Sequence, residues 1–107
     1  MTQILLTAAQ SGFPIEARVG DELVLQLVEN PTTGYRWQPD SDQQLPARED
    51  HYVPAAGATG AGGVRTLRLF LSSPGSFDLA FSLRRPWEGE GQALERVVYH
   101  LLVRNEP

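Results

Sequence analysis

The chain has 107 residues, nine basic against thirteen acidic side chains, a formal net charge of −4 and no cysteine. This length suits a single domain, 1–107, with its own core, and the missing thiols exclude disulfides, thiolate metal sites and a cysteine nucleophile. Few and scattered basic residues argue against a nucleic-acid partner, and the longest apolar runs, near 23–28 and 97–103, are far too short to cross a membrane.

The N-terminal stretch MTQILLTAAQ has an apolar patch but neither a basic leader nor an apolar run of signal-peptide length. The expected compartment is the cytoplasm, or the periplasm or exterior if a leader was removed. From there the dominant period is two. A first strand is expected over 3–8, followed by an extended PIEARV. ELVLQLVE, 22–29, sets Leu23, Leu25 and Leu27 on one face with Val24 and Val28 behind them, the pattern of a central strand. Shorter strands are predicted at 35–38, where Trp37 is a candidate core aromatic, and at 49–53. VRTLRLFL, within 64–72, alternates Leu67, Leu69 and Leu71 against Thr66, Arg68 and Phe70. SFDLAFSLR, within 76–84, alternates Phe77, Leu79, Phe81 and Leu83 against Asp78, Ala80, Ser82 and Arg84. GQALERVVYHLL could be written as a helix, but its β-branched pair and aromatic favour a last strand over 93–104. The expected fold is all-β: an immunoglobulin-like antiparallel β-sandwich of about seven strands, with Gly- and Pro-containing turns between them.

If each strand runs antiparallel to the one before it, three connections emerge at the same end. They are NPTTG (30–34), GATGAGG (57–63) and RPWEGEG (85–91). Loops grouped on a rigid scaffold are where binding residues concentrate. Each also reads as plain structure. In NPTTG, Pro31 fixes its own φ and pushes Asn30 into an extended conformation, while Gly34 can take a positive φ, so the segment makes a sound turn. Asn-Pro-Thr is not a glycosylation acceptor, because its middle residue is proline. The glycine-rich loop lacks the lysine and helix of a phosphate-binding loop. RPW is harder to reduce to a turn, since Trp87 beside Pro86 has no core to enter, and tryptophan and arginine are typical interface anchors.

NPTTGY, GAGG and RPWE, in this order and spacing, resemble the chagasin family of cysteine-peptidase inhibitors, from the strand before the first motif to the last strand. The resemblance implies a reversible, tight-binding inhibitor of papain-like (cathepsin-type) cysteine peptidases, acting as a monomer, whose three loops form a wedge in the enzyme's cleft. It places Asn30, Pro31, Thr32, Thr33 and Gly34 at the centre, with Thr32 and Thr33 nearest the enzyme's catalytic cysteine and histidine. Tyr35, where phenylalanine is common in the family, keeps the loop anchor. Gly60, Ala61, Gly62 and Gly63 would follow one wall of the cleft, and Arg85, Pro86 and Trp87 the other, with the tryptophan packed on an aromatic patch.

The rival reading is an immunoglobulin-like adhesion or ligand-binding module, with Trp87 stacked on a sugar or a partner; the fold alone does not choose between them. Against an enzyme, His51 and His100 are the only histidines and no nucleophile–base–orienter set is evident. The carboxylates of Asp21, Glu22, Asp40 and Asp42 read as solvated turn residues. No catalytic residue, metal or cofactor is expected.

Overall fold

The computed structural model describes residues 2–40, 48–54, 62–88 and 93–105. In chain order these form β1 (Gln3–Leu6), a 3-10 turn (Ala8–Gln10), β2 (Pro14–Arg18), β3 (Glu22–Glu29), a second 3-10 turn (Pro31–Thr33), β4 (Arg36–Pro39), β5 (Glu49–Pro54), β6 (Gly63–Phe70), β7 (Gly75–Arg84) and β8 (Glu95–Arg104). Two four-stranded sheets result, in the orders β1-β3-β6-β5 and β2-β8-β7-β4. Among the described residues no helix is long and apolar enough to cross a membrane.

The alternation read from the sequence decides which side chains enter the space between the sheets. Leu23, Leu25 and Leu27 of β3 meet Leu67, Leu69 and Leu71 from β6 and the residue after it. Across from them lie Leu79, Phe81 and Leu83 of β7, Val97, Tyr99, Leu101 and Val103 of β8, and Trp37 of β4. Trp37 is only 3% exposed and fills the core as expected. The Tyr99 hydroxyl donates to the Thr7 carbonyl at 2.8 Å, and burial pushes its pKa up to about 12.

Three details depart from the sequence reading. PIEARV is not merely extended: its first five residues are a true strand, β2, the eighth of the sandwich, hydrogen-bonded in parallel to β8. The first strand stops at Leu6 instead of running to residue 8. Thr7 is extended and caps the 3-10 turn: its Oγ1 accepts from the Ala9 N–H, and the Gln10 side chain accepts from the Thr7 N–H at 2.7 Å. Uniform antiparallel pairing also fails at one side, where β1 runs parallel to β3 and β2 parallel to β8. β1 and β2 are edge strands of opposite sheets, so the chain passes from one sheet to the other after β1 and back after β2. The remaining pairs, β3–β6, β5–β6, β4–β7 and β7–β8, are antiparallel.

Registers fix where the loops emerge. Glu29, the last residue of β3, pairs with Gly63, the first of β6, and Gly63 pairs with Pro54, the last of β5. In the other sheet Arg36, at the start of β4, pairs with Arg84, at the end of β7, and Leu83 pairs with Glu95, the first residue of β8. The β3–β4, β5–β6 and β7–β8 connections therefore leave from one end.

Candidate functional site

The β3–β4 loop is tied together by its own side chains. Asn30 Oδ1 accepts from the Thr32 N–H at 3.1 Å and from the Thr32 hydroxyl at 2.7 Å. The Thr33 hydroxyl donates to the Asn30 carbonyl at 2.7 Å, and the Thr33 N–H reaches the same oxygen at 3.2 Å. Asn and Thr compete well for local backbone groups, which is why this short sequence folds into a compact 3-10 turn. Both threonines remain exposed at the tip, and each hydroxyl that donates inward keeps lone pairs as acceptors. Gly34 follows at φ +82°, a conformation that disfavours any side chain.

The β7–β8 loop leans on that tip. A Cβ placed on Gly34 would sit 3.4 Å from Cη2 of Trp87, an ordinary contact, so the indole lies directly beside this glycine. The Arg85 guanidinium lies 4.6 Å from the centroid of the Tyr35 ring, and its Nε points at the Thr33 carbonyl at 3.5 Å. Tyr35 in turn packs its ring against the core. The turn is closed by the Glu88 N–H to the Arg85 carbonyl at 3.0 Å. Trp87 itself is 75% exposed, a large apolar surface open to solvent.

The third loop is described only at its foot, because Gly60 and Ala61 lie outside the described residues. Gly62, at φ +80°, approaches the first loop: a Cβ there would lie 3.1 Å from the Glu29 carbonyl oxygen and 3.4 Å from Asn30 Cβ. Gly63 is buried within β6, where a Cβ would overlap the Val53 carbonyl oxygen and come within 2.7 Å of Pro54 Cα and the Tyr52 hydroxyl. Its missing side chain is used inside the sheet, to let β5 and β6 meet. Of the remaining expected residues, Pro31 lies in the 3-10 turn and Pro86 is exposed beside Trp87.

The sequence profile described as "Chagasin family peptidase inhibitor I42" matches residues 16–101. The chain belongs to the chagasin family of peptidase inhibitors. It is 25% identical over 103 residues to chagasin of Trypanosoma cruzi, covering 90% of this chain and 94% of that protein. Its fold is similar to that of a cysteine protease inhibitor of Entamoeba histolytica, with a TM-score of 0.82, 24% identity and 96% of each chain covered. Amebosin, known from a solution structure, superposes with a TM-score of 0.76 at 27% identity, over 94% of this chain and 96% of the other.

The chagasin-family fold of this chain also rests on charged residues that the motifs do not contain. Glu29 and Arg65 are buried at the base of the loop end, joined at 2.7 Å between Oε2 and Nη2. The pair holds the guanidinium strongly protonated, chiefly through the hydrogen bond to Glu29, with burial opposing it less. A signal for both was present: Glu29 continues the inward phase of Leu23, Leu25 and Leu27, and Arg65 precedes Leu67 and Leu69 in theirs. Opposite charges at core positions of neighbouring strands call for each other.

Two carboxylates differ from expectation. Asp21 and Asp40 are buried, not solvated. Asp21 accepts the main-chain N–H groups of Thr2 at 3.2 Å and Arg18 at 3.0 Å, and so holds the turn into β3. Asp40 accepts from Ser82 Oγ at 2.8 Å and from Arg96 Nη2 at 2.6 Å, tying β4 across β7 to β8. Glu22 is half-buried and binds Arg68 at 3.0 Å, while Asp42 lies outside the described residues. His51 and His100 are both exposed, and Nδ1 of His100 lies 2.9 Å from Oδ1 of Asp78. Among the described residues no three acidic or histidine side chains are placed to share a metal ion.

Proposed function

We propose that this chain inhibits papain-like cysteine peptidases by filling their active-site cleft with the loop end of the sandwich. Residues 30–35 form the tip, Trp87 with Arg85 and Pro86 one flank, and the segment 60–63 the other. The observation that carries this reading is Trp87, 75% exposed and yet seated on Gly34 of an internally hydrogen-bonded tip. An interface anchor held in place before the partner arrives loses little freedom on binding, whereas each rotamer-rich side chain ordered at an interface costs about 0.5–1.5 kcal/mol.

The chemistry is that of a plug. The chain has no thiol and no electrophile for the enzyme's cysteine, so contact with the enzyme is by packing and hydrogen bonds. The 3-10 turn bends the tip away from the extended path a substrate takes, so the peptide bonds of 31–33 are not presented as a substrate's are. A footprint of about 800 Å² per partner is standard for such complexes, and three clustered loops can supply it.

The experiment is a titration of papain, beside papain whose catalytic cysteine is replaced by alanine. Tight binding to both forms, with intact chain recovered from the active complex, is expected. Loss of binding to the alanine form, or an acyl-enzyme carrying a cleaved chain, would overturn the plug. Gly34→Val, which places a branched side chain at positive φ and into the Trp87 ring, should weaken inhibition more than Thr33→Ala.

A further inference from the structure

The feet of β3, β4 and β6 at the loop end converge on one carboxylate. The Glu29 side chain is fully buried (0% exposed) and Arg65 nearly so. Oε1 of Glu29 accepts the Trp37 main-chain N–H at 2.7 Å, and Oε2 accepts Arg65 Nε at 3.2 Å and Nη2 at 2.7 Å. Arg65 Nη1 then reaches Asp50 Oδ1 at 2.9 Å, and its guanidinium lies 5.7 Å from the Tyr52 ring centroid. Strands β3, β4, β5 and β6 are thereby linked through three side chains, those of Glu29, Arg65 and Asp50, and β4 belongs to the opposite sheet.

The link acts where the tip begins and ends. Residues 30–36 leave from Glu29 and return at Trp37, and two hydrogen bonds close this span: the Trp37 N–H to Glu29 Oε1 at 2.7 Å, and the indole Nε1–H to the Val28 carbonyl at 2.9 Å. The separation of the two feet is set by the carboxylate between them. Buried ion pairs add little net stability, because desolvation offsets their attraction, and apolar residues of similar volume often serve the fold as well. An apolar pair could not fix the Trp37 N–H against β3.

We infer that Glu29 is the positioning residue of the inhibitory end: anchored by Arg65, it fixes the distance between the feet of the 30–36 span, and so the shape of the tip before any peptidase is met. This rests on the reading of that end as the peptidase-binding surface. Release of the clamp would let the tip sample other shapes. Affinity then falls by the fraction of molecules still in the competent one, and the loss appears in the association rate.

The test is the double variant Glu29→Leu/Arg65→Met, with two readouts at 25 °C on protein shown to be folded by circular dichroism and dispersed amide signals. The first needs no enzyme. Backbone order parameters of Thr32, Thr33 and Gly34, and of the Trp87 indole N–H, should fall from about 0.85 towards 0.6. The second is papain binding, where about a tenfold or greater loss in the association rate, with the dissociation rate little changed, is expected. A tip as rigid as in the wild-type chain, or unaltered association, would overturn the inference. Should the double variant not fold, Glu29→Met, which removes the acceptor of the Trp37 N–H, carries the same readouts. Failure of the wild-type chain to bind papain would instead refute the proposed function, and the order parameters would still decide whether Glu29 positions the tip.

Discussion

At the end where β2, β6 and β8 finish, the turns are held almost wholly by the main chain. The Gly20 N–H donates to the Leu71 carbonyl at 2.8 Å, the Leu71 N–H to the Asp21 carbonyl at 3.0 Å and the Val19 N–H to the Arg104 carbonyl at 2.9 Å. The Asp21 side chain takes up two more N–H groups there. At the opposite end the loops are held by side chains: Asn30 and Thr33 within the tip, Arg85 against Tyr35, and the Glu29–Arg65 pair beneath. Among the described residues, one end folds the Asp21 carboxylate inward and carries a turn of small exposed residues at 72–74. The other is built as firmly but projects Trp87 and two threonines into solvent. Hydrogen-bonded turns with, among the described residues, a large exposed aromatic at only one of the two ends are what a preformed binding surface requires.

The contrast can be broken most severely at Trp37, which belongs to the loop end but is core. Trp37→Ala should cost about 3–5 kcal/mol in urea unfolding, since it empties the space beneath the tip and removes the indole bond to the Val28 carbonyl that helps close the 30–36 span. A near-native midpoint would mean that the loop end is not supported from within.

Tyr99 gives a perturbation that belongs to neither end. Its phenol titrates near 10 when unfolded and at about 12 when folded, so the native state holds the proton more tightly. Its contribution is complete below pH 10 and is lost as pH rises towards 12, about 3 kcal/mol in all. Unfolding monitored between pH 9 and about 12 should show this decline, and Tyr99→Phe should flatten it.

Trp87→Ala sharpens the comparison from the exposed side. Stability should change by no more than about 0.5 kcal/mol, while papain affinity should drop by about 2 kcal/mol, roughly thirtyfold. Unfolding of this variant would show that the indole supports the loop rather than awaiting a partner. The smallest effect is expected at the other end. Asp21→Asn keeps one acceptor for the two N–H groups, so about 1 kcal/mol of stability should be lost, with the inhibition constant unchanged. An altered inhibition constant would mean that the two ends are coupled.

Much of this was legible in the sequence because alternation is a local signal. Leu67, Leu69 and Leu71, or Phe77, Leu79, Phe81 and Leu83, state their strand and its inward face without help from distant residues. β2 was harder to read. As an edge strand it buries only Ala17, and it begins with a proline, so its period is faint. The parallel pairing of β1 and β2 depends on partners far along the chain, which no local pattern reports. The loop motifs pointed to the proposed tip residues, but not to what holds them. Glu29 and Arg65 are separated by 36 positions, and their pairing follows only when the register of β3 on β6 is known. Asp21 and Asp40 misled for a related reason: turn-flanking carboxylates are usually solvated, and here each is enclosed by the groups it binds.

The most direct test of the account is a map of the bound surface. Papain with its catalytic cysteine replaced by alanine would be titrated into isotopically labelled chain, and main-chain amide and indole signals followed by nuclear magnetic resonance. The account predicts that signals of 30–35, of Gly62 and Gly63, and of Arg85, Trp87 and Glu88 shift or broaden, while those of 19–21 and 71–76 stay in place. Perturbation centred on 19–21 and 71–76, or on the outer faces of the sheets with the Trp87 indole unmoved, would contradict it.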